Sequence, residues 1–241
     1  MKEKAYKLLS KQENISNRAA KELIDRGLVF VGGKKITVAR GEVDAKTRFK
    51  IQKIQKLKTI FEDENIIAID KPAFLTSEEV SKKLGYPPLN RLDKESSGVL
   101  LLVKDGEFQK RAIKEYRDKR VIKEYIAWVE GRVVEPMEIN KSILTIKGKK
   151  AYSKISPDGK EAITSIEPLM VEGKRSKIKA IIKTGRTHQI RVHLKSIGSP
   201  IVGDVKYGGK PYKRIMLHSY RTKLFEYNFK AEEPKEFNVI N

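Results

Sequence analysis

The longest unbroken aliphatic run in this chain is five residues, Val99-Leu100-Leu101-Leu102-Val103. A helix that crosses a bilayer needs about 20 apolar residues, so the sequence offers no such span. No basic amphipathic helix with an aromatic apolar face points to a membrane surface either. The remaining apolar stretches are short and mixed in period. Ile66 to Ile69 reads as a buried strand that ends at Asp70-Lys71-Pro72-Ala73. Asp105 to Lys119 carries Phe108, Ala112, Ile113 and Tyr116 on one helical face. In Lys123 to Val129, Tyr125, Ala127 and Val129 alternate as a strand, with Lys123, Glu124 and Glu130 as polar flanks. Strand-like runs between 142 and 183 are separated by Gly, Pro and Lys clusters, and Gly185 to Ile197 reads as a strand end plus a helix. This mixture predicts an α+β fold rich in strands.

Charge divides the chain. It carries 52 Lys and Arg against 31 Asp and Glu, a net +21, with a pI near 9.9. Residues 1–58 hold 16 basic and 6 acidic side chains, a net +10, and the other 183 residues hold the remaining +11. The leading segment is therefore much the more basic per residue. Two modules are expected, 1–52 and 64–241, joined by the charged connector KIQKLKTIFED at 53–63. So strong a basic balance points to a polyanionic partner, nucleic acid first. The absence of cysteine excludes disulfides and thiolate metal sites and fits a reducing compartment. MKEKAYKLLSKQEN is charged throughout and has no signal-peptide core, so the cytoplasm is the expected location. A monomer is the default state.

In the leading module Ser16 is a candidate N-cap, Ala19, Ala20, Leu23 and Ile24 recur at helical spacing, and Gly27 is placed to end the helix. Leu28 to Val31 reads as a strand, Gly32-Gly33 as a tight turn and Ile36-Thr37-Val38 as a second strand, with an extended piece around Phe49 to Ile51. Arg18, Lys21 and Arg26 on the helix, with Lys34 and Lys35 at the turn, form a candidate RNA-binding set. A solvated, charged face is the plainer alternative. The stretch ISNRAAKELIDRGLVFVGGKKI resembles the ribosomal-protein S-four type RNA-binding module, a helix-helix-hairpin unit. The resemblance covers roughly residues 2–51 and implies docking on structured RNA through shape and phosphate contacts.

Common catalytic signatures are missing. There is no Gly-x4-Gly-Lys phosphate loop, no Gly-x-Gly-x-x-Gly opening a helix after a strand, and no His-Glu-x-x-His. His188, His193 and His218 have no acidic neighbour at ligand spacing, so no metal is expected. His193 and His218 read as packing or RNA-touching hydrogen-bonders. Two stretches remain. NRLDKESSG places Asp93 two residues after Arg91 and just before a turn, so in an extended segment the two side chains face the same way. KTGRTHQIRVHL gathers Arg186, His188, Gln189, Arg191 and His193 around Ile190, Val192 and Leu194.

RLDKESSGVLLLVKD and GRTHQIRVHLKSIGSPIVGDVKYG resemble the RluA/RsuA superfamily of RNA pseudouridine synthases. With IAIDKPA, KEYIAWVEG and LHSYRTKLFEY, the resemblance covers most of residues 64–238. It implies a mixed, mainly antiparallel β-sheet catalytic domain that isomerises uridine in RNA, ribosomal RNA of the large subunit first and transfer RNA second. It implies no cofactor and no metal. By the same resemblance Asp93 is the catalytic carboxylate, nucleophile or base, with Arg191 as its ion-pair partner and Tyr125 stacking on the uracil and helping to remove the C5 proton. Arg91 helps hold the flipped nucleotide or the vacated stack, Arg186 is the second choice of ion-pair partner or else a phosphate contact, His188 binds substrate and Leu217 forms an apolar pocket floor. Asn90 stands where RluA-type members have His, and an amide keeps the capacity to hydrogen-bond. VKDGEFQKRA is closer to the RsuA side and HQIRVH to the RluA side. The rival reading is a catalytically silent RNA-binding protein acting as a chaperone in ribosome assembly.

Overall fold

The computed structural model describes residues 1–146, 148 and 151–238 and divides into two units, 1–55 and 56–241. The first holds β1 (Lys2–Lys4), α1 (Ala5–Glu13), α2 (Asn17–Asp25), β2 (Val29–Val31), β3 (Lys34–Lys35), β4 (Glu42–Asp44) and β5 (Lys50–Ile51). Ser16 caps α2 by accepting from the Ala19 N–H at 3.1 Å, and Ala20 and Ile24 turn inward onto Ala5, Leu9 and Val29. Gly27, at φ +74°, stops the helix where a side chain is costly. β2 pairs antiparallel with β3 on one edge and β5 on the other, while β1 pairs with β4. Ile36 to Val38 is not a strand. The Ile36 N–H still bonds the Val29 carbonyl at 2.8 Å, but β2 begins at Val29, so the residues after Ile36 have no edge to pair with.

The second unit is built on one mixed sheet. Its elements are β6 (Lys58–Glu62), β7 (Ile66–Lys71), α3 (Ser77–Leu84), β8 (Ser97–Val103), α4 (Gly106–Arg117), β9 (Ile122–Glu130), β10 (Met137–Asn140), β11 (Ile143–Ile146), β12 (Tyr152–Ile155), β13 (Ile163–Glu172), β14 (Arg175–Ile182), α5 (Gln189–Ser196), β15 (Leu217–Leu224) and β16 (Tyr227–Lys230). The strand order is β10-β13-β14-β9-β15-β8-β7-β6, with β16 added to β15 and a separate β11–β12 hairpin. Every named pairing in the sheet is antiparallel except β8 with β15. The fold is α+β with a mainly antiparallel sheet. Lys58–Glu62, inside the stretch expected as a connector, is strand β6, because it lies along the free edge of β7.

Strand parity splits the core in two. Ile67, Ile69, Leu100 and Leu102 face one cluster with Tyr125 and Trp128. Ile66, Ala68, Val99, Leu101 and Val103 face the other, under Phe108 and Ala112 of α4. The whole aliphatic run therefore lies buried, two side chains on one face and three on the other. Each such side chain contributes about 1.5–3 kcal/mol. β9 lies between β14 and β15, so Lys123 and Glu124, expected as polar flanks, are buried as well. Ile113 departs from its expected inward face and is 53% exposed.

Gly98 shows why the turn signal before this run ends in glycine. It pairs with Ser219 where β8 meets β15 in parallel, at φ +109°. A Cβ there would come 2.1 Å from the Ser219 carbonyl oxygen. Only glycine lets the two central strands close at this point.

Candidate active site

Asp93 sits on a turn that is tied down from several sides. The Ser96 N–H closes the turn on the Asp93 carbonyl at 3.0 Å, and the Phe74 N–H bonds the Lys94 carbonyl at 2.6 Å. Ser77, behind the Thr76–Glu79 capping box of α3, accepts from the Leu92 N–H at 2.9 Å. Lys71 has no exposed surface and spends its three N–H donors on the carbonyls of Pro72, Leu75 and Ser96 at 3.0, 2.7 and 2.7 Å. Burial, then repulsion from Arg214, pulls the Lys71 ammonium down to about 7. Asn90 donates to the Val99 carbonyl at 3.3 Å and accepts from the Leu101 N–H at 2.8 Å, so its amide anchors the loop to β8.

Arg191 comes from α5, 98 residues away in sequence. The turn before that helix is fixed by Gln189, whose Oε1 accepts from the Thr184 hydroxyl at 2.8 Å and the Arg186 N–H at 3.1 Å. Arg191 Nη1 donates to Asp93 Oδ2 at 2.7 Å, and its Nε and Nη2 fork onto Asp204 at 2.7 and 2.8 Å. Burial opposes the guanidinium charge, but the Asp204 hydrogen bonds and the nearby Asp93 and Asp204 carboxylates outweigh it and hold Arg191 above its ordinary value. Arg191 also lies 5.0 Å from the centre of the Tyr207 ring.

His188 faces Asp93 from the same turn, with Nε2 3.8 Å from Oδ1. Its Nδ1 lies 2.8 Å from the Tyr207 hydroxyl, which itself accepts from the Ser153 N–H at 2.9 Å. If the hydroxyl donates to Nδ1, the neutral imidazole carries its own proton on Nε2, the nitrogen that faces Asp93. Burial lowers the His188 pKa and favours this neutral form.

Tyr125 and Leu217, on neighbouring strands β9 and β15, form apolar walls beside the carboxylate. Burial, with the negative charge of Asp93, pushes the Tyr125 phenol up to about 12. Arg91 is exposed at the cleft mouth, and Arg186 stands at the rim with its Nε donating to the Glu161 carbonyl at 2.9 Å. The cleft that joins these residues encloses about 580 Å³. His193 and His218 lie outside it as core residues. His193 bonds Thr164 and the Lys141 carbonyl at 2.8 and 2.9 Å, and His218 bonds Ser97 and the Ala231 carbonyl at 2.8 and 3.2 Å.

All seven residues expected around the substrate thus line one cleft, while those of the leading module fall in the other unit. There Arg18, Lys21 and Arg26 share one groove on α2, Lys34 is exposed at the β2–β3 turn, and Lys35 packs against Gly27. Sequence reasoning missed Asp204, Tyr207 and Lys71. Asp204 and Tyr207 stand in the quoted stretch VGDVKYG, where a carboxylate in a basic chain was the only cue. Gly203, before Asp204, has φ +84° and would bring a Cβ 1.9 Å from the Arg214 carbonyl, so this tight turn is what aims Asp204 inward. Among the described residues no three His, Cys, Asp or Glu side chains are grouped to hold a metal ion, and no helix is long and apolar enough to cross a membrane.

A loop carboxylate clamped by a helix arginine in a cleft on a mixed sheet gives a site suited to acid–base or nucleophilic chemistry. Residues 69–196 match the family described as RNA pseudouridylate synthase, and the chain belongs to that family of isomerases. It is 55% identical over 241 residues to an "Uncharacterized RNA pseudouridine synthase" of Helicobacter pylori strain J99, covering 98% of this chain and 100% of that one. It is 29% identical over 200 residues to the "Ribosomal large subunit pseudouridine synthase D" of Salmonella typhimurium, covering 75% of this chain and 61% of that protein. The fold is that of human RNA Pseudouridylate Synthase Domain Containing 1, with a TM-score of 0.64 at 23% identity over 76% of this chain and 84% of the other.

Proposed function

We propose that this enzyme converts specific uridines of large-subunit ribosomal RNA to pseudouridine, with Asp93 as the catalytic carboxylate. In that reaction the N1–C1′ bond breaks and a C5–C1′ bond forms. C5 loses a proton and N1 gains one, so no electron carrier is consumed. The observation that carries the reading is the 2.7 Å contact between Arg191 and Asp93 in the cleft. It sets a fixed cation against the carboxylate, which offsets the desolvation that a bound base would impose. The name of the Salmonella typhimurium relative supports the choice of RNA. Transfer RNA is the second substrate class.

In this reading Arg191 is the counter-ion of Asp93 and Tyr125 stacks on the uracil. Leu217 floors the pocket and His188 directs Nε2–H toward the reacting carboxylate. Arg91 helps hold the flipped nucleotide or the vacated stack, which offsets part of the few kcal/mol that flipping costs, and Arg186 meets a phosphate at the rim. The leading unit acts as an S-four type module that holds structured RNA through Arg18, Lys21, Arg26, Lys34 and Lys35. The enzyme works in the cytoplasm as a monomer.

The test is release of tritium from [5-³H]uridine in unmodified transcripts of large-subunit ribosomal and transfer RNA. Wild-type protein should release it from the former, and Asp93→Asn should bind the same transcript without release. Binding without release by the wild type on every transcript would favour the RNA-chaperone reading instead.

A further inference from the structure

The cleft continues beyond Asp93 and Tyr125 into a cationic lobe. Its inner end is Lys123, 5% exposed, two residues before Tyr125 on the same face of β9 and opposite Ile182 at the end of β14. Its Nζ donates to the Thr184 carbonyl at 3.1 Å, which uses one of three N–H donors. The same Nζ lies 5.2 Å from the ring centre of Tyr116, whose buried hydroxyl has no hydrogen-bond partner. Arg117 of α4 and Lys183 and Arg186 of the β14–α5 turn stand around the opening, with the exposed Ile113 one helical turn before Arg117. Asp93 is the one carboxylate among the described residues that line the cleft. Glu161, beside the rim, is engaged by Lys119 at 2.5 Å.

A buried ammonium with spare donors and a buried hydroxyl with none satisfied are costly unless something meets them. Burial, then the charge of Arg186, pulls the Lys123 ammonium down to about 8, so an arriving anion would regain what folding gave up. The cations around it disfavour a second cation as that partner, and the cleft that holds Asp93 and Tyr125 is also lined by Arg117 and Lys183.

We propose that this lobe is an RNA-backbone subsite, in which Lys123 and the Tyr116 hydroxyl take the phosphate adjoining the uridine at Asp93, and Arg117, Lys183 and Ile113 receive the neighbouring nucleotide. The inference rests on the uridine-isomerase reading above and adds the residues that grip the flanking chain.

The test is filter binding of unmodified large-subunit ribosomal RNA transcript across a salt series, with tritium release measured on the same proteins. Each lost phosphate contact should make the log Kd–log salt slope shallower by about 0.7–0.9. Lys123→Met is expected to show that loss and to lower kcat/KM mainly through KM, and Lys123→Arg to regain the slope. Lys174→Ala, at the opposite end of β14, should leave the slope unchanged. A wild-type slope in Lys123→Met, or an equal shift in Lys174→Ala, overturns the proposal. If Lys123→Met lacks a cooperative melt, the exposed Arg117→Ala and Lys183→Ala decide: shallower slopes support the subsite and wild-type slopes overturn it. A wild type that releases no tritium while the slopes still shift removes the isomerase reading for this RNA and leaves the phosphate subsite standing.

Discussion

Asp204→Asn is the most informative single change outside the cleft, because the Asp204 side chain grips Arg191 from behind. The Asp204 side chain is 1% exposed and does not line the cleft, and it takes Nε and Nη2 of Arg191 at 2.7 and 2.8 Å. That fork leaves Nη1 for Asp93 at 2.7 Å. The amide keeps the volume but loses the charge and presents an NH₂ group to a guanidinium donor. Breaking a buried ion pair by removing one partner costs about 3–5 kcal/mol. Arg191 keeps Asp93, so the low end applies, about 3 kcal/mol, or a drop of roughly 10 °C in the melting of a unit this size. The guanidinium then loses the fork that fixes its height above Asp93, and a shift on the order of 1 Å lowers turnover about 100-fold. Single-turnover tritium release with protein in excess reads the rate of the chemical step on bound RNA, and filter binding reads the RNA affinity, which should stay near wild type. Turnover within about threefold of wild type in a folded Asp204→Asn protein would refute the positioning role.

Three further outcomes follow from the same geometry. Gly98→Ala forces a Cβ to within 2.1 Å of the Ser219 carbonyl at φ +109°, so the second unit should lose more than about 4 kcal/mol in urea titration; a near-wild-type midpoint would mean that β8 and β15 are not closed by this glycine. Burial pulls His218 from 6.5 down to about 4, so it is neutral in the fold and the unfolded chain protonates first. Its stability contribution is complete above pH 6.5 and is lost as pH falls toward 4, about 3 kcal/mol over that window, and His218→Gln should flatten this part of the stability–pH curve. Tyr125 titrates near 12, so wild-type kcat should show no tyrosine inflection below pH 10, Tyr125→Phe should keep KM, and Tyr125→Leu should raise it; a kcat inflection near pH 8 that disappears in Tyr125→Phe would contradict the neutral-phenol assignment.

What was legible in the sequence was local chemistry and extended motifs. Ser16 and Gly27 act where they stand, so their capping roles could be read from spacing alone. Asp93 and Arg191 are 98 residues apart, and only the resemblance of both surrounding stretches to one family brought them together. Asp204 and Tyr207 were hidden because their partners, Arg191 and His188, are supplied by a different element and no periodicity links them. Lys71 and Lys123 look like ordinary surface lysines in sequence, and burial in the sheet is what changes their chemistry. Ile36 to Val38 had strand-forming residues without a strand to pair with, and Lys58–Glu62 had charged residues but an open edge beside it, so pairing overrode propensity in both directions.

The most direct test of Asp93 as the catalytic carboxylate is a pseudouridine map of ribosomal and transfer RNA from cells lacking this gene, complemented with wild type or with Asp93→Asn. The account predicts that at least one pseudouridine in large-subunit ribosomal RNA is missing from the deletion strain and returns with wild type alone. A site restored equally by Asp93→Asn would contradict the assignment of Asp93 and, with it, the role given to the Arg191 ion pair.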